Sequence, residues 1–323
     1  MTVALERPAG RILVTPRSVT QQGLDRVPEL APLRAAGFEL VSGPPGVSPS
    51  EDQLLRLVPG CVGWLAGVEP IGARVLAAAA DLRIISRNGT GVDNIDLGAA
   101  AEAGVVVARA AGANAQGVAE LAITLALAAL RDVPRSAEAL RAGRWSRRPG
   151  RELAELRVGV VGLGAVGRRV AALFAALGSS VAGYDPFVEV PDVPALPLDE
   201  LFAQSDVISL HVPPLPSGPI VTARELATVP VGAVLVNTAR AALVDDAAVL
   251  AALETGRLGG YAVDAFDTEP PEPSALLAHP AVLATPHLGG YTDASVRRAV
   301  SHAVANLLTA LAGDPVPDPN GRN

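Results

Sequence analysis

Lysine is absent from all 323 residues, so the 26 basic side chains are all arginines. That excludes chemistry that runs through an amine: PLP Schiff bases, amine-type aldolases, the P-loop lysine and the kinase lysine. Cysteine is nearly absent too. Cys61 stands alone, so neither a disulfide framework nor a cysteine-rich zinc or iron–sulfur site can be assembled. There is no basic excess. The formal net charge of −7 argues against a partner bound through its phosphate backbone. Unbroken apolar runs are missing as well. Pro273–Thr292 is uncharged between its ends but carries three prolines and two histidines, and Val170–Tyr184 is short and holds Gly-Ser-Ser. Neither matches a bilayer span of about 20 apolar residues. The opening MTVALERPAGR lacks the basic-then-apolar order of a signal peptide, so a soluble, cytoplasmic protein is expected.

What is present is a globular composition, half apolar and 18% charged, of a length that suits about two domains. Short apolar runs alternate with helical patterns. Ile12–Val14, Phe38–Val41, Cys61–Leu65, Leu82–Ile85 and Val105–Val107 read as strands, with helices at Leu24–Ala36 and Ile71–Ala80. This rhythm predicts a parallel sheet covered on both faces. A helix over about 116–131 is apolar nearly all round, and Arg131–Glu152 reads as an irregular arm. A second rhythm begins at Arg157. Its strands fall at Val158–Val161, Ser180–Tyr184, Val207–Leu210, Ala233–Val236, Gly260–Val263 and Val282–Ala284. Its helices fall at Ala165–Leu177, Leu198–Phe202, Asp245–Thr255 and about Thr292–Ala312. Two doubly wound units are predicted, and the final helix is free to return to the first. The tail, Asp314–Asn323, carries three prolines and is expected to be loosely ordered.

The clearest motif is VGVVGLGAVGRRVA, residues 158–171. An apolar strand runs into Gly162-Leu163-Gly164-Ala165-Val166-Gly167 and then into a helix. Gly162 suits the tight turn, Gly164 the close approach of a pyrophosphate, and Gly167 the helix–strand packing. Asp185 ends the next strand, where a carboxylate bonds adenosine ribose hydroxyls and repels a 2′-phosphate. NAD is therefore expected rather than NADP.

Hydride transfer from a hydroxy acid also needs an acid/base near neutrality and a cation for the substrate carboxylate. Of four histidines, His279 and His302 read as packing or surface residues. His211 and His287, each following a strand, compete as the catalyst on position alone.

Six motifs in order resemble the D-isomer-specific 2-hydroxyacid dehydrogenase family, in its phosphoglycerate-dehydrogenase-like branch. They are RNGTGVDNIDL (87–97), NAQGVAEL (114–121), GLGAVG (162–167), VNTARAALVD (236–245), YAVDAFDTEP (261–270) and TPHLGGYT (285–292). The resemblance implies two Rossmann-like parallel-sheet domains. A cofactor domain, 109–288, is inserted into a discontinuous substrate domain made of 1–108 and 289–323.

It also implies roles. His287 is the acid/base, and Glu269 is the carboxylate that orients it and keeps it protonated. Arg240 grips the substrate carboxylate, and the amides of Gly89, Thr90 and Gly91 complete the cradle beside Asn88. Asp264 faces the nicotinamide, while Thr238 and His211 line the cofactor. Asn114 and Glu120 are structural or positioning residues, and no metal is called for. A homodimer is expected through the 116–131 helix and the arm.

Two departures stand out. Ala241 replaces the family's usual glycine after the catalytic arginine and would be strained in a left-handed conformation. Ala66-Gly67-Val68-Glu69-Pro70 stands where phosphoglycerate enzymes carry an Arg-Ser pair. A phosphate would then be met by Arg87, Arg74 or an arginine of the 131–151 arm. Formate dehydrogenases, with Gln at the place of Glu269, and phosphite dehydrogenases, which use a lysine, fit worse. The expected activity is NAD-dependent oxidoreduction of a small D-2-hydroxy acid, with 3-phosphoglycerate as first choice. Glyoxylate, hydroxypyruvate or phosphonate-type acids compete, and an NAD(H)-sensing regulatory protein is the alternative of another class.

Overall fold

The computed structural model describes residues 9–316. The chain divides into two compact units. One holds the residues up to Asn114 and those from Asp293 onward; the other is Ala115–Thr292. These joins lie a few residues beyond the expected 108/109 and 288/289. The proline-rich tail from 317 onward lies outside the described residues.

The first unit is a five-stranded parallel sheet: β1 (Gly10–Val14), β2 (Phe38–Ser42), β3 (Cys61–Ala66), β4 (Ile84–Arg87) and β5 (Val106–Arg109), in the order β2-β1-β3-β4-β5. Its strands are nearly continuous apolar runs because both faces are covered. One face packs Leu54, Trp64, Val75 and Ile85. The other packs Ile12, Leu33, Leu65 and Ile84 against Val300, Val304 and Leu307 of the helix Asp293–Ala312. The last helix therefore does return to the first sheet. Gly63 is what lets it sit close, since a Cβ there would lie 3.1 Å from Leu307.

The second unit is a six-stranded parallel sheet: β6 (Arg157–Val161), β7 (Ser180–Tyr184), β8 (Val207–Leu210), β9 (Ala233–Asn237), β10 (Leu258–Val263) and β11 (Val282–Ala284), in the order β11-β10-β9-β8-β6-β7. Phe202, Leu235, Val249 and Tyr261 fill one face, and Leu125, Val160, Val170 and Phe174 fill the other. The helix Ala115–Leu130 supplies much of that second layer, which explains why it is apolar nearly all round.

Three expectations need correction. Leu24–Ala36 is not one helix. It is two 3-10 turns and a short helix, Ala31–Ala35, because Pro28 and Pro32 have no N–H to donate to a helical ladder. The helix expected over 71–80 is confined to Ala73–Ala77. The arm is not irregular throughout: Val133–Arg141 is helical, with Pro134 in its first turn, where the missing N–H costs nothing. The helix Glu51–Leu57 went unpredicted, although Ser50 and Gln53 close a reciprocal capping box at its start.

Candidate active site

In a doubly wound sheet the ligand crevice opens at the carboxyl edge where the strand order reverses. In the second unit that point lies between β6 and β8, and the glycine-rich turn leaves β6 there. Gly162 has φ +92°, and a Cβ on it would lie 2.6 Å from the carbonyl oxygen of His211, at the end of β8. Gly167 is equally constrained, with a Cβ position 1.7 Å from the Gly162 oxygen. Gly164 is the opposite case. Nothing lies within 4 Å of its Cβ position, so the turn is open there, with Ala165 and Val166 leading into the helix Gly167–Ala176.

Asp185 follows β7. Its Oδ2 accepts from the Leu163 N–H at 2.8 Å, and its Oδ1 from the N–H groups of Phe187 and Val188 at 2.9 and 3.1 Å. It thus ties the turn to the next strand while Oδ2, with a single N–H partner, keeps a second lone pair. His211 pairs with Ser209 Oγ through Nε2 at 2.8 Å. Burial pushes its pKa down to about 3, so it is neutral at any working pH and is not the exchangeable acid. Thr238, after β9, is buried with no partner on its Oγ1 among the described residues.

The ends of β9, β10 and β11 are neighbours along the same edge. Arg240 follows β9. Its carbonyl accepts from Asn237 Nδ2 at 2.8 Å, and its guanidinium donates to the Ala239 oxygen at 2.7 Å. Ala241 opens a 3-10 turn and is not left-handed, so the departure from glycine costs no strain. Asp245 caps the helix Asp246–Glu254 through the N–H groups of Ala247 and Ala248.

Glu269 and His287 come together across 18 residues, Oε1 to Nδ1, at 2.6 Å. A carboxylate only accepts, so Nδ1 carries a proton and Nε2 remains for exchange. Both side chains are about half exposed, at 45% and 50%. His287 is one of two non-glycine residues with positive φ among those described. Asp264, buried at the end of β10, holds that conformation. It accepts from Thr285 Oγ1 at 2.6 Å and from the N–H groups of Leu288 and Gly289 at 2.7 and 2.8 Å. Sequence reasoning missed this grip, which requires β10 and β11 to be adjacent.

In the first unit, the Asn88 N–H donates to the Ala66 oxygen and the Gly89 N–H to the Arg87 oxygen. Of the three amides expected to form the cradle, Gly89 is thus engaged within the turn. The N–H groups of Thr90 and Gly91 have no hydrogen-bond partner among the described residues. Asn114 lies at the join, and exposed Glu120 accepts from Gln116.

Residues 123–289 match the family model described as D-isomer specific 2-hydroxyacid dehydrogenase, NAD binding domain. A Mycobacterium bovis protein named D-3-phosphoglycerate dehydrogenase is 39% identical over 279 residues, which are 84% of this chain and 53% of that protein. The chain belongs to the D-isomer specific 2-hydroxyacid dehydrogenase family. Solved structures similar to it include a Thermus thermophilus protein, 35% identical with a TM-score of 0.86 over 95% of this chain and 99% of that one. A D-2-hydroxyisocaproate dehydrogenase is 27% identical, with a TM-score of 0.83 over 94% and 98%. The chain spans about half the length of the curated family members it matches.

Two features fit the family's dinucleotide. The open space at Gly164 leaves room for a pyrophosphate against backbone, and Thr238 Oγ1 is a buried hydroxyl left for a ligand.

Proposed function

We propose that the protein is an NAD-dependent D-2-hydroxyacid dehydrogenase, with 3-phosphoglycerate as its first-choice substrate. The Glu269–His287 pair carries the reading, because it sits on the same sheet edge as the glycine turn. Gly162, Gly164, Ala165, Val166 and Gly167 would cradle the pyrophosphate, and Asp185 would take the ribose hydroxyls. Thr238, Asp264 and His211 would line the remainder. The chemistry that NAD supplies when bound is a hydride acceptor for C2. His287 Nε2 takes the hydroxyl proton as C2 becomes a carbonyl, and Glu269 offsets the charge that forms on the ring. Arg240 holds the substrate carboxylate.

The phosphoglycerate choice follows the name of the mycobacterial relative. A homodimer and a cytoplasmic location belong to the same reading. Leu127, Val133, Leu140 and the 81%-exposed Trp145 are exposed apolar side chains of the helix and arm that a second copy would cover. No helix among the described residues is long and apolar enough to cross a membrane.

The test is NADH formation from a panel of D-2-hydroxy acids. Turnover that falls about 10²-fold or more in His287→Ala supports the reading. An intact protein that binds NADH and oxidises none of the acids overturns it.

A further inference from the structure

The first unit has its own reversal of strand order. From β1 the chain moves to β2 on one side and to β3 on the other. Its crevice therefore opens where Thr15-Pro16-Arg17 leaves β1 and Ala66–Pro70 leaves β3.

These two loops are locked together from within. Thr15 Oγ1 donates to Glu69 Oε1 and accepts from Trp64 Nε1 at 2.9 Å, and the Gly67 N–H donates to Glu69 Oε1 at 2.8 Å. Thr15, Trp64 and Glu69 are all buried. Gly67 packs directly on Pro16, with a Cβ position 3.1 Å from the Pro16 Cα. Ala66 accepts from the Asn88 N–H, so the locked loops run straight into the turn read above as the carboxylate cradle.

Of the charged side chains on the two loops, Glu69 is turned inward and Arg17 is exposed. The guanidinium of Arg17 makes no ion pair or hydrogen bond among the described residues. The neighbouring strand-end arginines are engaged with the turn: Arg87 donates to the Asn88 oxygen and Arg109 to the Thr90 oxygen. An uncommitted cation on a braced loop, at the carboxyl edge where the strand order reverses, has the placement of an anion clamp.

We propose that Arg17 is the specificity residue for a second anionic group at the far end of the substrate, a phosphate or a second carboxylate. This deepens the dehydrogenase reading and rests on it. The Thr15–Glu69 buttress has the positioning role: it holds the β1 loop on the β3 loop so that Arg17 stays at the crevice.

The experiment compares wild type, Arg17→Ala and Arg17→Lys on 3-phosphoglycerate, D-2-hydroxyglutarate and D-glycerate. Calorimetric titration of the NADH-loaded protein with 3-phosphoglycerate runs in parallel. Losing one charge-assisted contact should lower the kcat/KM ratio of a doubly anionic acid over D-glycerate about tenfold in Arg17→Ala, with partial recovery in Arg17→Lys. Whichever doubly anionic acid loses the preference identifies the end group. A ratio that is unchanged, or a wild type that does not favour either doubly anionic acid, overturns the proposal. If wild type oxidises nothing, the dehydrogenase reading fails by itself. Arg17-dependent binding of 3-phosphoglycerate would then still support the clamp, and binding independent of Arg17 would overturn it.

Discussion

Asp264 grips the backbone immediately after His287: its two oxygens take the N–H groups of Leu288 and Gly289 at 2.7 and 2.8 Å, while the Thr285 hydroxyl anchors the other side. His287 is left-handed, at φ 53°. A histidine keeps such a conformation only where its surroundings over-determine it. Whatever else Asp264 touches, it sets the direction of the imidazole.

Asp264→Ala is therefore expected to lower kcat about 10²-fold, approaching the loss of the acid/base itself. It should also cost about 1–3 kcal/mol of stability through the orphaned Gly289 N–H. Asp264→Asn should rescue poorly, because its amide nitrogen would face either the Gly289 donor or the Thr285 and Leu288 donors. Steady-state kinetics and urea denaturation on the three proteins check this. Wild-type kcat in Asp264→Ala would contradict the positioning role.

Two glycines of the turn, Gly164 and Gly167, separate folding from binding. Gly164→Ala meets nothing within 4 Å and should fold normally. It should nevertheless weaken NADH binding about tenfold or more, since the methyl occupies the space a pyrophosphate needs. Gly167→Ala places a carbon 1.7 Å from the Gly162 oxygen and should lower the melting temperature steeply. Fluorescence titration with NADH and a thermal melt distinguish the two effects. Wild-type NADH affinity in Gly164→Ala would remove the turn from the cofactor site.

Asp206 links acid stability to one carboxyl. Burial alone would raise its pKa. The Arg157 N–H at 3.0 Å and the Arg151 guanidinium at 2.7 Å, with the charges of both arginines, outweigh burial and hold it below the ordinary 3.8. A lowered folded-state pKa stabilises the protein above the unfolded-state pKa, and that stabilisation is lost as pH falls through the folded value. Asp206→Asn should therefore melt below wild type at pH 7, with the gap closing as pH falls below 3.8 and through the folded value. A gap that stays constant over that range would rule out the charge as its source.

Strand positions were legible in the sequence as short apolar runs between helical patterns, and β7, β8 and β11 fall on the residues expected. Helices with internal prolines were not. Pro28 broke a helix whose apolar spacing looked continuous, whereas Pro134 merely began one. At the candidate site, the glycine turn and the Glu269–His287 pair follow from motifs, each motif being a stretch of contiguous chain. The Asp264 grip and the Thr15–Glu69 contact arise from strand adjacency, which no local pattern encodes.

The helix Asp293–Ala312 completes the first sheet although 178 residues of the second unit, Ala115–Thr292, separate it from β5. During synthesis the ribosome thus delivers the whole inserted unit before its host is finished. Until that last helix emerges, the nascent first sheet shows the apolar side chains of Ile12, Leu65 and Ile84 to the cell. Chaperone demand should accordingly fall on the early part of the chain, late in translation.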